Sequence, residues 1–197
     1  DFSCCEPLGL EYIAASLEAD HEVYLMDMRF EKDLKARLAQ GDFDAVGIAV
    51  PFTTSINTCN RLLKQVRALE PDMVTILGGH YPSTSLERLS LSLVNYIVVG
   101  EGGNTVRDLI HALETRRDPS EIPGVVVVRD GKGIPDPKDS YHDLDQCAFP
   151  ARHLLKKYQN QYFHAHYKPI SLMRFSVGCP FDCSFCILWK MTGRKYF

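Results

Sequence analysis

The chain has 197 residues, 45% of them hydrophobic and 24% charged, with a formal net charge of -3. That size holds one large domain or one domain plus part of another, and the balance is that of a soluble globular protein. The net negative charge leaves no basic footprint for a nucleic-acid partner. The longest apolar runs, 46–52 and 96–99, are far short of the ~18 residues of a membrane helix, and a signal peptide's basic and apolar blocks are missing, so a cytoplasmic location is expected.

Helix-like and strand-like stretches alternate from the start. Residues 7–18 place Leu10, Ile13, Ala14 and Leu17 at helical spacing. Residues 21–28 (HEVYLMDM) predict a strand, and 31–40 a polar-faced helix with Leu34 and Leu38 on one side. Residues 44–50 (DAVGIAV) form an apolar run of strand length, as expected of a parallel strand covered on both faces. The strongest helical pattern spans 54–70, with Ile56, Leu62, Leu63, Val66 and Leu69 on its buried side. A buried strand over 73–77 stops at Gly78-Gly79, a short helix is predicted over 83–90, and a strand over 96–99 stops at Gly100-Glu101-Gly102-Gly103. A helix over 105–116 follows. This alternation predicts an α/β fold, an open, doubly wound, Rossmann-like parallel sheet. Such a fold opens with a strand, whereas here the first helix starts almost at residue 1. Residues 1–6 therefore resemble the loop after a strand lying further upstream.

Beyond Arg117 the texture changes. Residues 124–129 (GVVVVR) and the turn Asp130-Gly131 predict an edge or hairpin strand. Residues 133–150, with Pro135, Pro137 and Pro150, predict a linker, and 151–158 a short helix. Residues 168–177 predict a strand that delivers the chain to Cys179, and 187–190 a helix-like stretch.

Seven cysteines is a high count for a cytosolic chain, and an odd number leaves one unpaired. Three of them crowd into the segment 178–186, GCPFDCSFC, a C-x-x-x-C-x-x-C spacing at Cys179, Cys183 and Cys186. Thiolates are the usual ligands of iron–sulfur clusters, and this spacing wraps three around one face of a cubane. Three ligands leave one iron open to bind and activate a substrate. A zinc site closed by His164 or His166, or cysteines that merely pack, are the competing readings. Cys4, Cys5, Cys59 and Cys147 read as incidental or packing residues, and Trp189 as packing beyond the loop.

With those residues in view, the segment 178–186 resembles the signature of the radical S-adenosylmethionine (SAM) superfamily. The resemblance implies a [4Fe–4S] cluster on the three cysteines, SAM on the fourth iron, and Phe185 beside the SAM adenine. It also implies that 168–197 begins a (β/α) barrel, of which only the first β/α unit is present. The α/β region ahead of it resembles the cobalamin-binding domain of the B12-dependent members, on the stretches EPLGLEYIAASLE (6–18), LGGHYPS (77–83), VVGEGGNT (98–105) and DLDQCAFPARHLL (143–155). The expected organisation is thus a cobalamin-binding domain over 1–130, a linker with a short helix over 131–167, and the truncated barrel over 168–197.

Ligands of open α/β sheets lie beyond the carboxyl ends of the strands. The residues there are Thr53, Thr54 and Ser55, then Gly78, Gly79 and His80, then Gly100, Glu101 and Gly102, all expected to contact cobalamin. The competing reading makes the glycines plain turns and Thr54 or Ser55 a helix cap. Many cobalamin modules carry D-x-H-x-x-G with a cobalt-ligating histidine. Counting back from Gly9 puts Cys4 and Glu6 at its Asp and His positions, so the lower cobalt face is expected to lack a protein imidazole. His80 is a poor substitute, and Gly103 stands where relatives often have an acid.

The resemblance implies a methyltransferase that methylates an unreactive carbon with methylcobalamin and a 5′-deoxyadenosyl radical. A ring-forming cyclase, or a non-catalytic cobalamin-binding or zinc-stapled module, are the alternatives. A small-molecule or lipid-like substrate and an electron donor such as flavodoxin or ferredoxin are expected. The segment on its own is expected to lack turnover.

Overall fold

A computed structural model describes residues 2–86, 88–133, 145 and 147–197. Its centre is a four-stranded sheet of β2 (Ala45–Ala49), β3 (Val74–Gly78), β4 (Tyr96–Val98) and β5 (Val125–Val127), in that spatial order. The first three run parallel, with Ala49 opposite Gly78 and Gly78 opposite Val98, and β5 closes one edge antiparallel to β4. A separate two-residue pair joins β1 (Ser3–Cys4) to β6 (Phe163–His164). Five helices accompany these strands among the described residues: α1 (Leu8–Leu17), α2 (Leu34–Leu38), α3 (Ile56–Leu69), α4 (Gly102–Glu114) and α5 (Leu188–Thr192).

The alternation of side chains along each strand sends neighbours to opposite faces. Leu77, Ile97 and Val126 face α3 and pack with Ile56, Cys59 and Leu63. Ile76 and Val98 point the other way, against Val106 and Leu109 of α4 with Ile13 and Leu17 of α1 beside them. Helices therefore cover both faces, which is the doubly wound arrangement the sequence predicts. Burying a side chain the size of Leu63 or Leu77, both at 0% exposure, contributes about 1.5–3 kcal/mol. Arg67, at the end of α3, secures the entry to β3: it donates to the carbonyls of Met73 (2.6 Å) and Leu93 (3.2 Å), to Thr75 Oγ1 (2.8 Å) and to Asn95 Oδ1. Thr75 is buried but fully engaged, so its burial costs little.

At the far edge, Asp130 and Gly131 both take positive φ (51° and 70°), and Arg129 and Lys132 exchange backbone hydrogen bonds of 3.0 and 2.9 Å. That is the tight reversal expected after β5. The expected linker lies largely outside the described residues, at 134–144 and 146.

Four predicted elements differ. Residues 21–28 form no strand: no neighbouring strand pairs with them among the described residues, and the Asp27 carbonyl closes a turn onto Phe30 and Glu31 (both 2.9 Å). The described part of 83–90 is turn rather than helix. Ser83 Oγ donates to the Gly79 carbonyl (2.8 Å) and Thr84 Oγ1 to that of His80 (3.0 Å), local bonds that compete with a helix ladder. Residues 152–161 wind as a 3-10 run. Residues 168–177 are extended without a ladder, again for want of a strand beside them among the described residues, yet burial still alternates. Ile170, Leu172 and Arg174 turn inward, while Met173 and Phe175 face out.

Candidate functional site

Because β2, β3 and β4 are parallel and in register, the loops leaving them share one rim of the sheet. Val50 N–H donates to the Gly78 carbonyl (2.8 Å), and Tyr81 N–H returns to the Val50 carbonyl (3.1 Å), tying the first two loops together. Gly79 has φ +107°, and a Cβ there would sit 3.0 Å from the Val50 carbonyl oxygen. Only glycine fits that crossing. Ser83 Oγ accepts from Gly100 N–H (3.0 Å) and so joins the second loop to the third.

On this rim Thr53 and Thr54 are exposed and Ser55 half-buried. They form a 3-10 turn whose hydroxyls cap neither that turn nor α3. Ser55 holds the N-cap position of α3 without a side-chain capping bond, so among the described residues none of the three hydroxyls is committed as a cap. Exposed Phe52 adds an apolar contact beside them, and His80 is exposed as well. The fit to a corrinoid rests on this donor set: free hydroxyls suit amide and phosphate groups, and an apolar ring suits the macrocycle edge.

The third loop is built differently. Gly102 and Gly103 belong to α4 and let α1 approach closely: a Cβ on Gly102 would lie 3.0 Å from Ile13 Cδ1, and the Gly103 carbonyl accepts from Ser16 Oγ (2.8 Å). Glu101 is engaged by Arg174, whose Nη1 lies 3.0 and 2.9 Å from the two carboxylate oxygens. The Arg174 guanidinium also stands 5.0 Å from the Tyr12 ring centre.

The cysteine loop is secured at its base. Gly178 (φ +90°) bridges antiparallel to Tyr196, and a Cβ on it would fall 2.0 Å from the Lys195 carbonyl oxygen. Val177 and Phe197 exchange backbone hydrogen bonds of 2.9 Å. The Cys183 carbonyl accepts from Cys186 N–H and from Trp189 Nε1, both at 3.0 Å, so Trp189 holds the loop's own backbone. None of the seven cysteines is in a disulfide; Cys183 is exposed, Cys179 and Cys186 half-buried. Among the described residues no group of three Cys, His, Asp or Glu side chains converges as a metal site. Three free thiols on a loop tied at its base fit an iron–sulfur cluster in donor chemistry and spacing. Phe185 is 92% exposed. α5 ends at Gly193 in the left-handed region, the usual helix stop.

Cys59 is buried in the core, where burial pushes its thiol up to about 11, as the packing assignment requires. Glu6, at the position of the motif's histidine, is buried and committed: its Oε1 accepts from Leu172 N–H (2.6 Å) and Arg152 Nε (3.1 Å).

Sequence reasoning passed over the acid cluster around Glu6. Glu11 is 1% exposed, and neither carboxylate oxygen has a hydrogen-bond partner among the described residues. Burial, with the nearby Glu6 charge adding to it against a partial offset from Arg152, pushes the Glu11 carboxyl up to about 7. A cavity of about 120 Å³ adjoins it, lined by Glu6, Glu11, Arg152, Gln159, Tyr162 and Ser171 among others. The one signal in the sequence was position: Glu11 stands three residues before Ala14, inside the apolar stripe of α1. Close by, burial works against the Asp27 carboxylate, but hydrogen bonds from Arg29 (2.6 and 2.8 Å) and its charge hold it below the usual range.

A protein-family model described as "B12 binding domain" matches residues 2–110. The hopanoid C-3 methylase of Methylococcus capsulatus is 35% identical over 97% of this chain, which spans 37% of that protein. The anaerobic magnesium-protoporphyrin IX monomethyl ester cyclase of Rubrivivax gelatinosus is 28% identical over 93% of the chain and 35% of its own length. In fold, the chain superposes over its whole length on 41% of TsrM, a radical S-adenosylmethionine methyltransferase from Kitasatospora setae, with a TM-score of 0.76 and 19% identity. Among the described residues no helix is long and apolar enough to cross a membrane.

Proposed function

Because the chain belongs to the B12-binding domain family, we propose that it is the cobalamin-binding end of a radical SAM enzyme, and that the whole protein methylates an unreactive carbon. The observation that carries this is the three-cysteine loop Cys179, Cys183 and Cys186, reached by an extended segment that docks through Arg174 on the rim of the B12-type sheet. When bound, the cofactors supply reductive cleavage of SAM and methyl transfer. The chain's own residues bind and orient. Thr53, Thr54, Ser55, Gly78, Gly79, His80, Gly100, Glu101 and Gly102 line the cobalamin rim and contact the cofactor. The three cysteines hold the [4Fe–4S] cluster, and Phe185 lies against the SAM adenine.

The division into 1–130, 131–167 and 168–197 belongs to the same proposal, as do a cytoplasmic location and a flavodoxin- or ferredoxin-type donor. The methylase relative acts on hopanoids by its name, which supports a lipid-like or other small-molecule substrate rather than nucleic acid. The cyclase relative favours a second reading, with the same cofactors and ring closure as the reaction.

The test is anaerobic incubation with hydroxocobalamin, desalting, and cobalt counted per chain beside the visible spectrum. Near-stoichiometric cobalt with a base-off spectrum is expected, since Glu6 stands where an imidazole would be needed. A folded chain that retains no cobalt refutes the proposal. In the full-length protein a methylated product, rather than a cyclised one, decides between the two reactions, and the 197-residue chain alone is expected to show neither.

A further inference from the structure

We infer that Arg174 is a positioning residue that sets the distance between the cysteine loop and the cobalamin rim; this rests on the function just proposed. Arg174 stands five residues before Cys179 and turns inward on the extended segment. Its partner Glu101 directly follows Gly100 (φ +80°) at the end of β4. Thr105 Oγ1 donates to the Glu101 carbonyl (3.1 Å), so the partner is itself fixed to the first turn of α4. The Arg174–Glu101 pair is half-buried, with side-chain exposures of 30% and 32%, and Tyr12 of α1 backs the guanidinium. Three separately anchored elements, the β4 end, α1 and the cysteine-bearing segment, thus meet at one cation.

The segment has few other holds on the α/β unit. Among the described residues its backbone is held by Leu172 N–H on Glu6, the Leu172 carbonyl on Arg152 and Ile170 N–H on the Tyr162 carbonyl (3.2 Å). All three lie upstream of Arg174. Between residue 172 and the Val177–Phe197 pair, Arg174 is the inward side chain, while Met173 and Phe175 face out. A single nitrogen, Nη1, makes both contacts to Glu101, so a Lys ammonium can reach the carboxylate with its charge kept, whereas the shorter Gln amide keeps a donor but neither the charge nor the reach.

The experiment uses the protein reconstituted anaerobically with hydroxocobalamin, iron and sulfide, then reduced so that the cobalt(II) centre and the cluster are both paramagnetic. The readout is microwave-power saturation of the cobalt(II) resonance, which a nearby reduced cluster relaxes through space. Wild type is expected to show that enhancement. Arg174→Gln is expected to lose it with cobalt and iron per chain unchanged, and Arg174→Lys to keep it. The inference is overturned if Arg174→Gln keeps the enhancement, if Lys loses it as Gln does, or if Arg174→Gln sheds either metal. Wild type that takes up no cobalt overturns the function proposed above and this inference with it; wild type that holds both metals without enhancement overturns this inference alone.

Discussion

Glu11, buried and without a hydrogen-bond partner for its carboxylate among the described residues, makes stability fall as pH rises. In the folded protein its carboxyl holds a proton to about pH 7, whereas in the unfolded chain it lets go near the ordinary value of 4.5. Between those two values the folded state binds more protons, so each step upward in pH favours unfolding. The contribution is fully present below 4.5, is lost progressively as pH climbs to about 7, and is flat beyond. The difference between 4.5 and about 7, at about 1.4 kcal/mol per pH unit, corresponds to about 3 kcal/mol. Around it stand Glu6, Arg152, His153, Lys156 and Tyr162, of which Arg152 is already committed to Glu6 and His153 to Glu18 (2.7 Å). Glu11→Gln removes the titration while keeping the shape. Urea unfolding of both proteins at pH 5 and pH 8 should show the variant gaining about 2.5 kcal/mol on wild type between the two conditions, or about 5–10 °C in Tm. Parallel pH profiles would refute the reasoning, because they would mean that Glu11 has found a cation or is solvated.

Gly79→Ala should cost about 1–3 kcal/mol in urea unfolding, from its φ and its 3.0 Å approach to the Val50 carbonyl, and should lower cobalt retention by displacing the second rim loop. Gly102→Ala meets only the flexible end of Ile13 and should stay within about 1 kcal/mol of wild type. Replacing Cys179, Cys183 and Cys186 together by Ala should abolish iron uptake, measured as iron per chain, while cobalt uptake persists; equal loss of both would contradict separate sites. Arg152→Ala strips the buried Glu6 carboxylate of its cation and should destabilise by about 3 kcal/mol in urea unfolding, whereas the double change with Glu6→Gln should recover most of that loss.

Several features were written in local pattern. Apolar runs at 73–77 and 96–99 became the inner strands β3 and β4, because a strand buried on both faces must be continuously apolar, whereas the run at 44–50 became the edge strand β2, with Gly47 and Ala49 exposed. The period of Ile56, Leu63 and Val66 became the buried face of α3, because 3.6 residues per turn places them together. GCPFDCSFC announced its donor chemistry by spacing alone, and the glycines at 78, 79 and 100 marked where strands end. What the sequence left open depended on distant partners. Whether 21–28 or 168–177 forms a strand turns on a neighbour to pair with, which no property of those residues supplies. Glu101 is legible as a rim residue from its place after β4, but only the fold brings Arg174, 73 positions away, onto its carboxylate. Glu6 and Glu11 looked alike as acids five residues apart. Tertiary packing gave Glu6 both a guanidinium and a backbone N–H, and left Glu11 buried with neither. The charge state of an acid is set by the solvent and partners around it, and those are decided only when the chain has closed.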